Sequence, residues 1–153
     1  MKFNDNAVCL VTSGLMAGLG TTISIVAVPS IKATSDPLPS WKRLYKNGSK
    51  CAISMILTTT GLAIKCFLKT EDNRYLLMAG TSVIIIPYTI LLMKPTNDAL
   101  FAIKDNKYRE DEEEETKVRK LITKWDKLQY GRTALGLLAF CINVWIVCKK
   151  CKQ

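Results

Sequence analysis

The 153-residue sequence predicts an all-α, integral membrane four-helix bundle with a charged cytosolic helical extension before the fourth span. Three observations predict it. Stretches at about 7–31, 51–68, 75–93 and 131–148 carry almost no charge, and each approaches the roughly 20 residues that cross a hydrocarbon core. Of the 22 Lys and Arg residues, 15 lie in 32–50 and 94–133 and 7 lie elsewhere. The acidic run at 110–115 precedes Lys117, Arg119, Lys120, Lys124, Lys127 and Arg132, an order that suits the dipole of a helix.

The spans take up about half of a single membrane domain, 1–153, and leave too little sequence for a soluble core. A soluble enzyme, a secreted disulfide scaffold and a free nucleic-acid binder are thereby excluded, so the net charge of +9 is a topology signal and no nucleic acid is an expected partner. The positive-inside bias puts 32–50 and 94–130 in the cytosol and both termini across the bilayer, as in an internal membrane such as the endoplasmic reticulum.

In the first span, Gly14 and Gly18 with Ala17 and Thr21 form a small-residue face that lets another helix approach. Pro29 ends or kinks that span. Pro37 and Pro39 disfavour helix before Ser40, whose hydroxyl is expected to cap a short helix carrying Trp41 and Tyr45 on one face. Those rings either line a site or anchor at headgroup depth. Thr58, Thr59 and Thr60 of the second span can bond their own backbone. In the third, Pro87-Tyr88-Thr89 interrupts the helix and sets Tyr88 roughly 8 Å inside the boundary, and Lys94-Pro95-Thr96-Asn97-Asp98 reads as a turn. In the fourth, Trp125, Gln129, Arg132, Gly136, Phe140 and Asn143 form one stripe of helical spacing. Arg and Asn at membrane depth are costly unless turned inward, so the stripe is the inner face, unless Arg132 snorkels to the surface.

The six cysteines behave mostly as small hydrophobes. Cys148 and Cys151 have the spacing of a redox or metal pair, or of a palmitoylation site, but no second pair and no histidine accompany them. Histidine-ligated iron, copper, zinc and haem are excluded, and no cofactor is expected. Trp41, Tyr45, Tyr88, Thr96, Asn97, Trp125 and Arg132 all fall at the cytosolic mouth. Aromatic walls, one fixed positive charge and an amide suit a flat aromatic ligand bearing phenolate or enolate oxygen, or a lipid headgroup.

At these residues the sequence resembles the small four-span membrane proteins related to anthrone oxygenase (noranthrone monooxygenase). The matching pieces are Gly14-Leu15-Met16-Ala17-Gly18 with Val28-Pro29, then Trp41 to Tyr45 with Gly48, then Pro87-Tyr88-Thr89 through Met93 to Asn97 with Leu100, and Trp125 with Leu128 and Arg132. The resemblance implies an oxygenase that converts an anthrone to an anthraquinone with molecular oxygen and neither metal nor flavin. It implies Arg132, Asn97 and Tyr88 as holders of the oxyanion, and leaves Asp98 or Asp126 to act as base in a chain without histidine. The other reading is a non-catalytic structural or interaction protein of an internal membrane, with the charged segment offered to a protein partner.

Asn47-Gly48-Ser49 is a glycosylation acceptor in a segment assigned to the cytosol. Expression in a eukaryotic host is expected to leave Asn47 unmodified; an endoglycosidase-sensitive mass shift there would reverse the topology.

Overall fold

A computed structural model describes residues 5–105 and 111–150 of the chain. Lys107, Arg109 and Glu110 of the charged segment, the terminal Lys2 and Lys152, and Cys151 of the expected cysteine pair lie outside these residues.

Four helices account for nearly all of what is described, and no strand occurs among the described residues. Helix α1 covers 5–33, with a π-helical segment Ile23–Ala27 inside it; α2 is Pro37–Thr70; α3 covers 74–102, with a π-helical segment Thr89–Met93; α4 is Glu112–Lys150. All four are long and apolar enough to cross a membrane. Three-residue connections at 34–36 and 71–73 make successive helices antiparallel, and packing of α1 on α4 closes the ring.

Each apolar stretch lies within a longer helix, because the polar flanks are also helical. At 1.5 Å per residue, α2 and α4 run about 50 and 60 Å against a hydrocarbon core of about 30 Å. This corrects three expectations. Pro37 and Pro39 sit in the first turn of α2, where a proline's missing N–H is one the helix leaves unbonded anyway, so the short helix expected from Ser40 begins at Pro37 and runs unbroken into the second span. Ser40 does not cap it: its hydroxyl donates to the Asp36 carbonyl at 3.4 Å. The segment Lys94–Ala102 is helix as well, not a turn.

Proline shapes α1 and α3 in the same way. Pro29 and Pro95 each lie two residues beyond the end of a π-helical segment, and in both places the helix widens and continues instead of ending. Asp111 caps α4, its Oδ1 accepting the backbone N–H of Glu113 at 2.9 Å.

The close approach of α1 and α4 uses Gly14 as expected, but Gly20 in place of Gly18. Gly18 is exposed and meets nothing, whereas a Cβ on Gly20 would lie 3.2 Å from Thr133 Oγ1, and one on Gly14 3.2 Å from Phe140. Polar groups ladder along this seam. Thr133 Oγ1 donates to the Gly20 carbonyl at 3.0 Å and so accepts from Ser24 Oγ at 2.9 Å; Tyr130 donates to the Ser24 carbonyl at 3.3 Å; Asn143 Nδ2 donates to Ser13 Oγ at 2.9 Å. Trp125, Gln129, Gly136 and Asn143 are buried, so the stripe on α4 does face inward.

The two ends of the bundle differ. At the 34–36 end, Ile23, Val28, Leu38, Trp41, Met93, Leu100, Ile122 and Trp125 join all four helices in one apolar cluster. Lys32 pairs there with Asp126, and Lys42 with Asp105 at 2.7 Å. At the other end Tyr75 donates to Asn6, and the exposed Trp145 lies under Arg74 and Lys149 at 5.4 and 4.6 Å.

Thr133→Val keeps the side chain's shape and removes its hydroxyl from the seam. We expect a loss of about 1 kcal/mol in denaturant unfolding from detergent, with a smaller effect for Thr81→Val, whose hydroxyl donates to the Leu77 and Met78 carbonyls of its own helix.

Candidate functional site

All four helices contribute to a cavity of about 230 Å³ inside the bundle. Its walls are Met16, Leu19 and Gly20 from α1; Tyr45, Ser49, Ala52, Ile53 and Ile56 from α2; Ile85, Ile86, Thr89 and Ile90 from α3; and Arg132, Thr133 and Gly136 from α4. A smaller cleft of about 10 Å³ shares Tyr45, Ser49 and Arg132 with it and adds Ile23, Leu44, Gly48 and Trp125.

The cavity does not open where the sequence put its mouth. Trp41 fills that end, stacked on Tyr45 at 5.4 Å between ring centroids and meeting Trp125 edge-on at 5.8 Å and Phe101 at 5.3 Å. The opening is lateral. Ile53, Ile86 and Ile90 line the cavity yet are 56%, 37% and 55% exposed on the outside of the bundle. They lie where α2, closely paired with residues 74–83 of α3, parts from the half of α3 that holds Pro87 and the π-helical segment. That face is the one that meets lipid.

The residues singled out from sequence divide into three groups. Tyr45, Trp125 and Arg132 border the cavity or its cleft. Trp41, Tyr88 and Asn97 stand behind them: Asn97 Nδ2 donates to the Tyr45 hydroxyl at 3.2 Å, and the Tyr88 hydroxyl donates to the Leu128 carbonyl at 2.9 Å, binding α3 to α4 one turn before Arg132. Thr96, Asp98 and Asp126 border neither space. Thr96 is buried with no partner for its hydroxyl among the described residues. Asp98 follows Asn97 on the same helix and so points about 100° away from it, with its side chain 61% exposed and bonded to Lys94 at 2.6 Å. Asp126 is held by Lys32, although its Oδ1 has no partner. The bases implied for the site are therefore not at the cavity, because each carboxylate already answers a lysine elsewhere.

Arg132 is the electrostatic centre of the site. Among the described residues it has no carboxylate and no hydrogen-bond acceptor, and its titratable neighbours are the phenols of Tyr45 and Tyr88. A cation in apolar surroundings without a counter-ion is stabilised by any anion that reaches it. The remaining polar groups on the walls are the hydroxyls of Ser49, Thr89 and Thr133. Ser49, Thr89 and Thr133 donate to backbone carbonyls at 3.3, 2.8 and 3.0 Å, leaving Tyr45, which accepts from Asn97, with a proton to give.

Sequence reasoning passed over Ser49, Thr89, Thr133 and Gly131. Thr133 was within reach as the residue four positions after Gln129. Gly131 matters through its missing side chain: a Cβ there would lie 2.2 Å from the Tyr88 hydroxyl. Gly131→Ala is expected to push Tyr88 off Leu128 and cost about 1–3 kcal/mol in thermal or denaturant unfolding. Combining it with Tyr88→Leu, which empties the contested space, should cost less than the two single losses added together.

Residues 41–142 match the family described as Anthrone oxygenase. The chain is 29% identical to anthrone oxygenase tpcL of Aspergillus fumigatus, over 86% of each chain. It is 30% identical to an anthrone oxygenase of Claviceps purpurea, over 86% of this chain and 82% of that one. Against noranthrone monooxygenase of Aspergillus flavus the identity is 26%, over 96% of this chain and 75% of that one. No solved structure matches the chain.

Proposed function

The chain belongs to the anthrone oxygenase family, and from that premise we propose that this multi-pass membrane protein oxidises an anthrone-like polycyclic phenol to the quinone with molecular oxygen. The observation that supports the reading is Arg132, a guanidinium without a counter-ion on the wall of an otherwise apolar cavity. The basic end of the bundle faces the cytosol in this reading, with both termini across an internal membrane.

An apolar tricyclic substrate dissolves in hydrocarbon and enters between α2 and α3 past Ile53, Ile86 and Ile90. In its enol form it loses the phenolic proton, and the oxyanion sits against Arg132 with the Tyr45 hydroxyl as a further donor. Neither Asp98 nor Asp126 borders the cavity, so the catalytic contribution is stabilisation of the anion in a dry site, where fixed donors act most strongly. The anion is itself the reductant. It gives one electron to dioxygen, and the resulting pair joins at the ring carbon opposite the oxyanion as a peroxide. The peroxide takes up a proton in place of the one the enol released, and that carbon then loses its remaining hydrogen as a proton while the O–O bond breaks and hydroxide leaves. The balance is CH2 plus O2 to C=O plus H2O, and it calls for no further oxidant or reductant.

The test is quinone absorbance and oxygen uptake by the purified protein given an anthrone, with one O2 consumed per quinone. Arg132→Ala is expected to lower kcat/KM about 100-fold, the scale of losing one oxyanion donor. Arg132→Lys keeps the charge but not the planar fork, and should recover only part of that loss. Quinone formation no faster than in protein-free solution would make the chain a non-catalytic member of the family.

A further inference from the structure

The small cleft beside the cavity has room, at about 10 Å³, for one water-sized sphere. Trp125 lines it and is 2% exposed, and its Nε1 is buried with no hydrogen-bond partner among the described residues. A buried indole N–H ordinarily finds an acceptor. Arg132 follows seven residues later on α4, two turns away on the same face and about 10 Å along the axis. Its side chain leans toward the helix N-terminus, which carries the guanidinium back toward Trp125. Tyr45, Ser49 and Arg132 line both spaces, so the cleft adjoins the cavity wall. The residue that carries an orphan donor and the residue that carries an unpaired cation thus line the same small hole. A cationic group is repelled there, and an apolar group leaves both donors unsatisfied.

We propose that this cleft is an anion subsite that takes the single phenolate or enolate oxygen of a ligand whose rings lie in the main cavity, with Trp125 Nε1–H and Arg132 as its two donors. The inference rests on reading that cavity as a site for flat phenolic molecules, and it assigns Trp125 a hydrogen bond to the oxyanion.

The probe is a monohydroxyanthraquinone, whose neutral and ionised forms differ in colour, titrated against the full chain in detergent. The wild-type protein should favour the ionised form. Trp125→Phe, which keeps an aromatic ring and removes the N–H, should weaken phenolate binding about tenfold, raise the apparent pKa of the bound phenol by about one unit and leave the neutral form's affinity unchanged. Equal losses for the two forms, or none for either, would overturn the subsite. A second measurement needs no stable variant. In wild-type protein labelled with 15N at its three tryptophans, one indole N–H resonance should move downfield with the ionised probe and stay still with the neutral one; the absence of any such movement would overturn the proposal. Ionised-form selectivity in a protein that makes no quinone would uphold the subsite and retire the oxygenase reading. Quinone formation at an undiminished rate in Trp125→Phe would do the reverse.

Discussion

Within the hydrocarbon of a bilayer no water is at hand for an amide, a hydroxyl or a charge, and the bundle is organised by that shortage. The backbone answers it by remaining helical from 37 to 70 and from 112 to 150 without a break. Hydroxyls answer it locally, as with Thr12, Thr21, Thr81 and Thr89 on carbonyls of their own helices. Groups that cannot be satisfied locally are turned to the seam between α1 and α4, where Ser13, Ser24, Thr133 and Asn143 bond across it. Against that background an unpaired guanidinium stands out, since so costly a group is retained in such a place when something else will answer it.

Proline has a constructive part in this arrangement. A missing N–H and a crowded ring would break a uniform α-helix, yet Pro29 and Pro95 are accommodated by widening the preceding turn. In α1 the widened turn adjoins the Gly20 and Ser24 carbonyls that α4 bonds. In α3 it adjoins the stretch where α2 and α3 part, which gives the cavity its lateral opening. One irregular turn thus stitches α1 to α4, and the other adjoins the place where the interior becomes accessible from the lipid side.

The site is held by residues that do not touch it. Asn97 fixes the Tyr45 hydroxyl, Trp41 stacks on its ring, and Tyr88 ties α3 to α4 only because Gly131 leaves room for its hydroxyl. Wall residues fixed from behind in this way are preorganised, which matters most for a site whose contribution is to stabilise an anion.

From the sequence alone came the four spans, the basic end and the inward stripe on α4, because charge and hydrophobic period are local properties that the bilayer constrains heavily. Arg132, Tyr45 and Trp125 were legible too, since polar and aromatic groups beside apolar spans are conspicuous. The tertiary structure alone decided the rest. It started the helix expected at Ser40 at Pro37, carried it on into the second span and made Lys94–Ala102 helical, because first-turn prolines and π-helical turns are satisfied by neighbours that no short window contains. It moved the close approach from Gly18 to Gly20, set Asp98 and Asp126 against lysines and away from the cavity, and opened that cavity toward lipid. Contacts between residues far apart in the chain depend on how the helices rotate and where they part, and only their packing together fixes that.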